Sequence, residues 1–384
     1  MTVDTTLYLL RALVGFPTVS SDSNLPLIEW VEKYLDAQNV VHWRVNESPT
    51  KSSILARIGP DAPGGVVLSG HTDVVPVKDQ PWETDPFILT ERDGKYFGRG
   101  TCDMKSFLAL ALAHVPQFKN AAKTKPVWLA FSHDEEVGCL GAEPMATALI
   151  QKNANPSLVV IGEPTNMQLI GAHKGILSFE TIITGRESHS SMPEQGVNAV
   201  MLMGELIAEL NRVAATARET KDHDFAAVTP YASVHVGVVE GGTARNIVPR
   251  HCRIAWEVRP LPATDVNALL APFHAKVAEL ETRMKAVDSS TGIITRQLTN
   301  VRGLKKVAAD APHMALAYRL AQANAADAVA FGTEGGIFQG AGLPTIVCGP
   351  GSIDQAHQPN EFITQEQLKL GAEFMIRLAS DLTS

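Results

Sequence analysis

The sequence is poor in cysteine, in basic blocks and in long apolar runs, and each shortage narrows what the chain can be. It has four cysteines in 384 residues, Cys102, Cys139, Cys252 and Cys348, and no two form a C-x-x-C pair. Scattered cysteines in such a chain imply reduced thiols and a cytoplasmic home. No apolar run is long enough to span a bilayer. Nothing basic offsets the net charge of -8, which argues against nucleic acid and anionic membranes as partners. The opening "MTVDTTLYLLRALVGFP" lacks a basic n-region and a small-residue cleavage site, so it reads as a short amphipathic helix and not as a signal peptide. There is no internal repeat and no low-complexity segment. Neither G-x-G-x-x-G after a strand nor a G-x-x-x-x-G-K-[ST] loop occurs, which argues against a nucleotide-binding α/β protein.

Hydrophobic residues make up 45% and charged residues 19%, enough for a large core and against disorder. Chain length predicts about two domains. In the first half, apolar runs of strand length alternate with helical patterns. "SSILARI", "GGVVLSGHTD", "KPVWLAFS" and "PSLVVIGEP" read as strands. "LPLIEWVEKYLDAQ", with Ser23 or Asn24 as cap, and "MKSFLALALAHV" read as helices. This predicts an α/β domain with a mixed, largely parallel sheet. The pattern then changes to β-α-β-β-α-β, the ferredoxin-like order, between "GILSFETIITG" and "TGIITRQL". Helix–strand alternation resumes afterwards. The expected organisation is a discontinuous first domain, 1–176 and 299–384, with an α+β domain inserted at 177–298.

Parallel strands deliver functional groups at their carboxyl ends. Here those ends carry His71 and Asp73, then Glu135 and Glu136, then Glu163, with Asp103 opening a helix and His357 following a glycine-rich turn. Each has a plain alternative alone. A strand-end histidine can be structural, Asp103 can cap its helix, and Glu163 before Pro164 can be a solvated turn. Together they are harder to dismiss. In "AFSHDEEVGCLGA", from Ala130 to Ala142, three carboxylates stand in a row. Like charges about 4 Å apart repel by roughly 4 kcal/mol at an effective dielectric of 20. Almost no lysine or arginine accompanies the strand-end acids, so the cluster needs a cation. Two imidazoles and several carboxylates are borderline donors that suit zinc or cobalt, with manganese possible, and their number suits a pair of metals.

The stretches "SGHTDVVP", "GRGTCDMK", "DEEVG", "GEPT", "GRESHSSMPEQGVNA", "GGTARNIVP" and "GPGSIDQAHQPNE" resemble the M20-type family of co-catalytic zinc aminoacylases and peptidases, in the family's order and over the whole chain. The resemblance implies a zinc-aminopeptidase-like catalytic domain with an inserted lid and dimerisation domain, and a homodimer. It implies that His71, Asp103 and Glu163 hold one metal and Asp103, Glu136 and His357 the other, with Asp103 bridging. Glu135 is then the general base for the attacking water, and Asp73 orients His71. A cis peptide is expected at Asp103–Met104. Glu135 and Glu136 would point apart because consecutive side chains diverge in an extended stretch, and Asp134 is given no chemistry. His189 is implied to stabilise the tetrahedral oxyanion, against the plain reading of a loop histidine bonded to nearby backbone. Asn246 and Arg259 are implied to hold a substrate carboxylate, while Arg245 reads as solvated charge.

Within that family, "FGTEGGIFQGAGLPTIVCGPGSIDQAHQPNEF" and "GEPT…AHKG" most resemble the acetylornithine deacetylase branch. The implied reaction is metal-dependent hydrolysis of N2-acetyl-L-ornithine to L-ornithine and acetate, in arginine biosynthesis. Acetylcitrulline, a succinylated diamine such as succinyl-diaminopimelate, and di- or tripeptides are the alternative substrates. A non-catalytic binding protein on the same fold is disfavoured because every ligand and Glu135 are present. Glu334 carries two readings: a reader of the substrate's side-chain ammonium, or a brace for the glycine turn after it. Cys102, beside Asp103, reads as a packed small residue in preference to an oxidation sensor.

Overall fold

A computed structural model describes residues 3–383. They divide into two units, one of residues 3–172, 304–327 and 333–383, the other of His173–Gly303 and Ala328–Gly332.

The first unit opens with helices α1 (Val3–Val14) and α2 (Leu25–Ala37). In α2, Leu27, Ile28, Val31 and Leu35 recur at helical spacing and are buried. Asn24 occupies the cap position, but its side chain makes no capping bond. Its amide donates to Ser52 O at 2.8 Å and to Thr72 Oγ1 at 3.0 Å, so it ties the helix start to the sheet. Strands β1 (Val41–Val45), β2 (Ser53–Ile58) and β3 (Val66–His71) follow, then β4 (Thr90–Arg92) and β5 (Lys95–Phe97). Helix α3 (Lys105–Ala113) is buried along its whole length, as its nearly unbroken apolar sequence requires. Helix α4 (Val115–Ala121), strand β6 (Val127–Ser132), helix α5 (Ala142–Gln151) and strands β7 (Leu158–Ile161) and β8 (Ile170–His173) complete this part.

The second unit runs β9 (Ile176–Thr184), β10 (Ser188–His189), α6 (Ala199–Ala217), β11 (Ser233–Gly241), β12 (Ile247–Val248), β13 (His251–Arg259), α7 (Val266–Val287) and β14 (Gly292–Val301). Its four-stranded antiparallel sheet has the order β11-β13-β9-β14, the ferredoxin-like arrangement. β9 alternates buried and half-buried residues, as a strand with one covered face does. Its core stacks Phe179 on Trp256 at 4.3 Å between ring centres, with Phe273 tilted against Trp256 at 4.9 Å. Asn198 caps α6 and Asp265 caps α7, each accepting a backbone N–H three residues on.

After β14 the chain forms α8 (Pro312–Ala321), β15 (Asp327–Val329), α9 (Gly335–Gly340), β16 (Thr345–Val347), β17 (Phe362–Thr364) and α10 (Gln365–Asp381), all in the first unit except Ala328 and Val329 of β15. The main sheet has the order β1-β2-β6-β3-β7-β16-β8-β15. Its centre, β6-β3-β7-β16, is parallel and buried on both faces, so these strands are continuous apolar runs. β17 pairs with β5, which draws the segment after His357 against the loop before α3. No helix among the described residues is long and apolar enough to cross a membrane.

Candidate metal centre

The parallel strands end together. His71, the last residue of β3, pairs with Ser132, the last of β6. The chain after β6 carries Glu135 and Glu136, the chain after β7 carries Glu163, and the long turn after β16 carries His357. Asp103 stands just before α3, where it makes no cap; Met104 holds the cap position without a side-chain bond. The Asp103–Met104 peptide is cis, as the family resemblance implies.

Asp103 divides its two oxygens. Oδ1 lies 3.0 Å from His71 Nε2 and Oδ2 lies 3.3 Å from His357 Nε2. Glu163 Oε1 is 3.7 Å from His71 Nε2, and Glu136 Oε2 is 3.0 Å from His357 Nε2. Two sets of three residues bring one ligand atom each within 4.8 Å of one another: His71, Glu135 and Glu163, and His71, Asp103 and Glu136. His71, Asp103 and Glu163 are buried, while the His357 side chain is 51% exposed.

The charges are out of balance. Burial raises Glu136, and raises Glu163 well above the usual carboxylate range with help from neighbouring Asp103 and Glu135. Burial also pushes Glu135 up to about 8, although the residue keeps some contact with solvent. His71 is held well above the ordinary histidine range: burial opposes its charge, but Asp103 beside it and then Glu163 prevail. His357 is pushed up to about 10 by its bonds to Asp103 and Glu136. Burial alone would raise Asp103, yet the two imidazoles hold it below the usual range. A site that raises imidazoles and carboxyls together lacks positive charge. Glu136 Oε1 is buried with no partner among the described residues. An orphaned oxygen, divided Asp103 oxygens and a mixed imidazole–carboxylate donor set fit a pair of divalent cations.

The residues behind the ligands differ from expectation in two respects. The Asp73 carboxylate is 3.6 Å from His71 Nδ1, and the ring nitrogen bonds instead to the Asp73 backbone oxygen at 2.9 Å. The carboxylate accepts the N–H of Glu135 at 3.1 Å, that of Glu136 at 3.3 Å and the Ser20 hydroxyl at 2.7 Å. Asp73 therefore orients His71 through its main chain and the two glutamates through its side chain. The stretch at 134–138 is also a turn and not an extended strand. Asp134 adopts a left-handed φ of 55°, and its carboxylate pairs with Lys51 Nζ at 2.6 Å. Turn geometry, fixed by Asp73 and Lys51, separates Glu135 from Glu136. The Cys139 thiol donates to Glu135 Oε1 at 3.2 Å, a contact that no pattern in the sequence announces.

Glu334 is 1% exposed and has the cap position of α9 without a side-chain cap. Thr333 Oγ1 accepts the Gly335 N–H at 2.9 Å, so the threonine braces that turn. Glu334 Oε2 accepts from the Ser69 hydroxyl at 3.3 Å, and Oε1 is buried without a partner among the described residues. Burial raises its carboxyl, opposed by the hydroxyls of Ser132 and Ser69.

His189, Asn246 and Arg259 belong to the second unit. β10 pairs with β12 so that His189 faces Ile247, and Ser190 N donates to Asn246 O at 3.1 Å. His189 and Asn246 are thus neighbours, both exposed, with His189 Nδ1 bonded to Ser191 Oγ at 2.7 Å. Arg259 ends β13, half-buried, with its Nε donating to Glu257 at 3.0 Å. All four cysteines are buried and free.

A model of peptidase family M20/M25/M40 matches residues 67–381. The chain is 34% identical to an acetylornithine deacetylase of Pasteurella multocida (strain Pm70), over 97% of this chain and 96% of that protein. It is also 34% identical to an acetylornithine deacetylase of Proteus mirabilis (strain HI4320), over 96% and 95% respectively. Among solved structures it superposes on an M20 family metallo-carboxypeptidase from Sulfolobus solfataricus with a TM-score of 0.78, covering 98% of this chain and 99% of that one. Identity there is 16%, so this likeness speaks to the fold alone.

Proposed function

The chain belongs to peptidase family M20/M25/M40, and from that premise we propose that it hydrolyses the N-acyl amide of N2-acetyl-L-ornithine, releasing L-ornithine and acetate for arginine biosynthesis. The observation that carries the reading is Asp103, whose two oxygens each face a different imidazole. Relatives named acetylornithine deacetylase over nearly the full length supply the substrate. His71, Asp103 and Glu163 hold one divalent ion, and Asp103, Glu136 and His357 hold the other, zinc or cobalt, with manganese able to substitute. Such ions polarise the amide carbonyl and acidify water.

Glu135 lies within ligand range of His71 and Glu163 as well. We assign it proton transfer because Glu136, not Glu135, has the bond to His357 and the orphaned oxygen. Glu135 takes the proton of the attacking water and returns it to the departing amine. Taking a proton from water and giving it to the amine is general acid–base work that a positioned carboxylate performs. His189 stabilises the oxyanion, and Asn246 and Arg259 hold the substrate carboxylate. The second unit serves as lid and dimerisation surface in a cytoplasmic homodimer. Glu334, with one buried oxygen unclaimed, reads the ammonium of the ornithine side chain.

The test is a substrate panel of acetylornithine, acetylcitrulline, succinyl-diaminopimelate, acetylmethionine and dipeptides. Acetylornithine should have the highest kcat/KM, and Glu334→Gln should raise KM for it more than for acetylmethionine. Preference for a dipeptide rejects the substrate, and equal losses in the variant reject the role of Glu334.

A further inference from the structure

Glu361 is a buried carboxylate that the chemistry above does not use. It is 1% exposed, as is its partner Arg99, whose Nη1 donates to Glu361 Oε2 at 2.7 Å. The same Oε2 accepts the Gly100 N–H at 3.0 Å. Oε1 accepts the N–H of Cys102 at 2.8 Å and that of Asp103 at 3.0 Å. Four donors therefore fill two oxygens, and Glu361 has no acceptor left for an ion.

A buried ion pair contributes little net stability over an apolar pair of the same shape. Its placement is more telling. Glu361 lies four residues after His357 and binds the main chain of Asp103, so one side chain links the two loops that carry these ligands. Arg99 extends the link. Its Nη1 also reaches Gln358 O at 3.3 Å, and its Nη2 donates to Gln80 Oε1 at 2.5 Å. Gln80 Nε2 in turn donates to His357 O at 3.0 Å. His357 has a left-handed φ of 63°, a conformation that a non-glycine residue keeps only when its surroundings enforce it.

We propose that Glu361, with Arg99 and Gln80, is a positioning residue that sets Asp103 and His357 at ligand spacing, and so prepares the second metal position before an ion arrives. The proposal rests on the dinuclear reading above. Supporting partners of metal ligands typically change affinity by about 10–100-fold when removed.

Glu361→Gln keeps the shape and turns one acceptor into a donor facing an N–H. Metal-stripped wild type and variant are titrated with Zn²⁺ by calorimetry. Wild type should bind two ions. The variant should bind the ion shared with His357 about 10–100-fold more weakly and the other, which shares Asp103 but not His357, with a smaller loss, with kcat falling and KM little changed. Two ions at wild-type affinity, with only a lower Tm, overturn the proposal. Hydrogen exchange on metal-free wild type is independent of whether the variant folds. The amides of Gly100, Cys102 and Asp103 should already be protected, and rapid exchange there also overturns it. A wild type that binds no zinc sinks the dinuclear reading and this proposal with it.

Discussion

The two units keep their order by opposite means. The second has an apolar centre of stacked rings, with its polar residues of interest, His189 and Asn246, out in solvent. The first gathers Glu136, Glu163 and His71 at or beyond the ends of buried strands with Asp103 just before α3, where mutual repulsion and lost hydration both work against folding. The lesson is that the first unit has a region whose stability depends on what cations are present, and the second has none such in its core. Protons or metal ions must complete it.

That contrast can be broken or sharpened by experiment. The largest effect is expected for Glu135→Gln, which removes proton transfer and should lower kcat by about 10²–10⁴-fold with metal content unchanged; steady-state kinetics with elemental analysis checks both. In the other unit, Trp256→Ala should cost about 3–5 kcal/mol of stability and leave zinc stoichiometry intact, measured by denaturant unfolding and metal analysis. Removing metal should lower the stability of the chain by roughly 3–4 kcal/mol for each ion lost, relative to protein at 100–1,000 times the metal dissociation constant.

The pH dependence follows from the raised groups. His357, raised to about 10, stabilises the metal-free fold fully below its unfolded value near 6.5. That contribution is lost as pH rises through 10. Glu135, raised to about 8, binds its proton more tightly folded than unfolded, so its ionisation also lowers stability as pH climbs from its unfolded value near 4.3. Metal-free protein should thus become less stable from about pH 6 to 9, while the stabilisation added by zinc grows, since metal replaces those protons. Thermal melts with and without zinc at each pH measure it. The smallest effect is expected for Asn198→Ala at the start of α6, about 1 kcal/mol, with no change in zinc binding.

Much of this was legible in the sequence because it is set by periodicity and by chain ends. Buried parallel strands appear as apolar runs, and the residues at their ends, His71, Glu136 and Glu163, come together because the strands share one edge. Two-residue strands such as β10 and β12 leave no periodicity, so the pairing that joins His189 to Asn246 was invisible. The structural division falls at Ala172 and Gly303 instead of 176 and 298, since β14 runs on to Val301, and the short return at Ala328–Gly332 carries no composition signal. The turn at Asp134 reads as extended from sequence because its left-handed φ depends on partners as distant as Lys51 and Asp73. Glu361 ends the motif GPGSIDQAHQPNE, but its hydrogen-bond partners are N–H groups about 260 residues away, which no local pattern reveals.

The most direct measurement is acetylornithine hydrolysis by the chain before and after complete metal removal, with zinc or cobalt then returned in measured equivalents. Activity should vanish on stripping and recover in full at two equivalents per chain. Undiminished hydrolysis by the stripped protein would contradict the account.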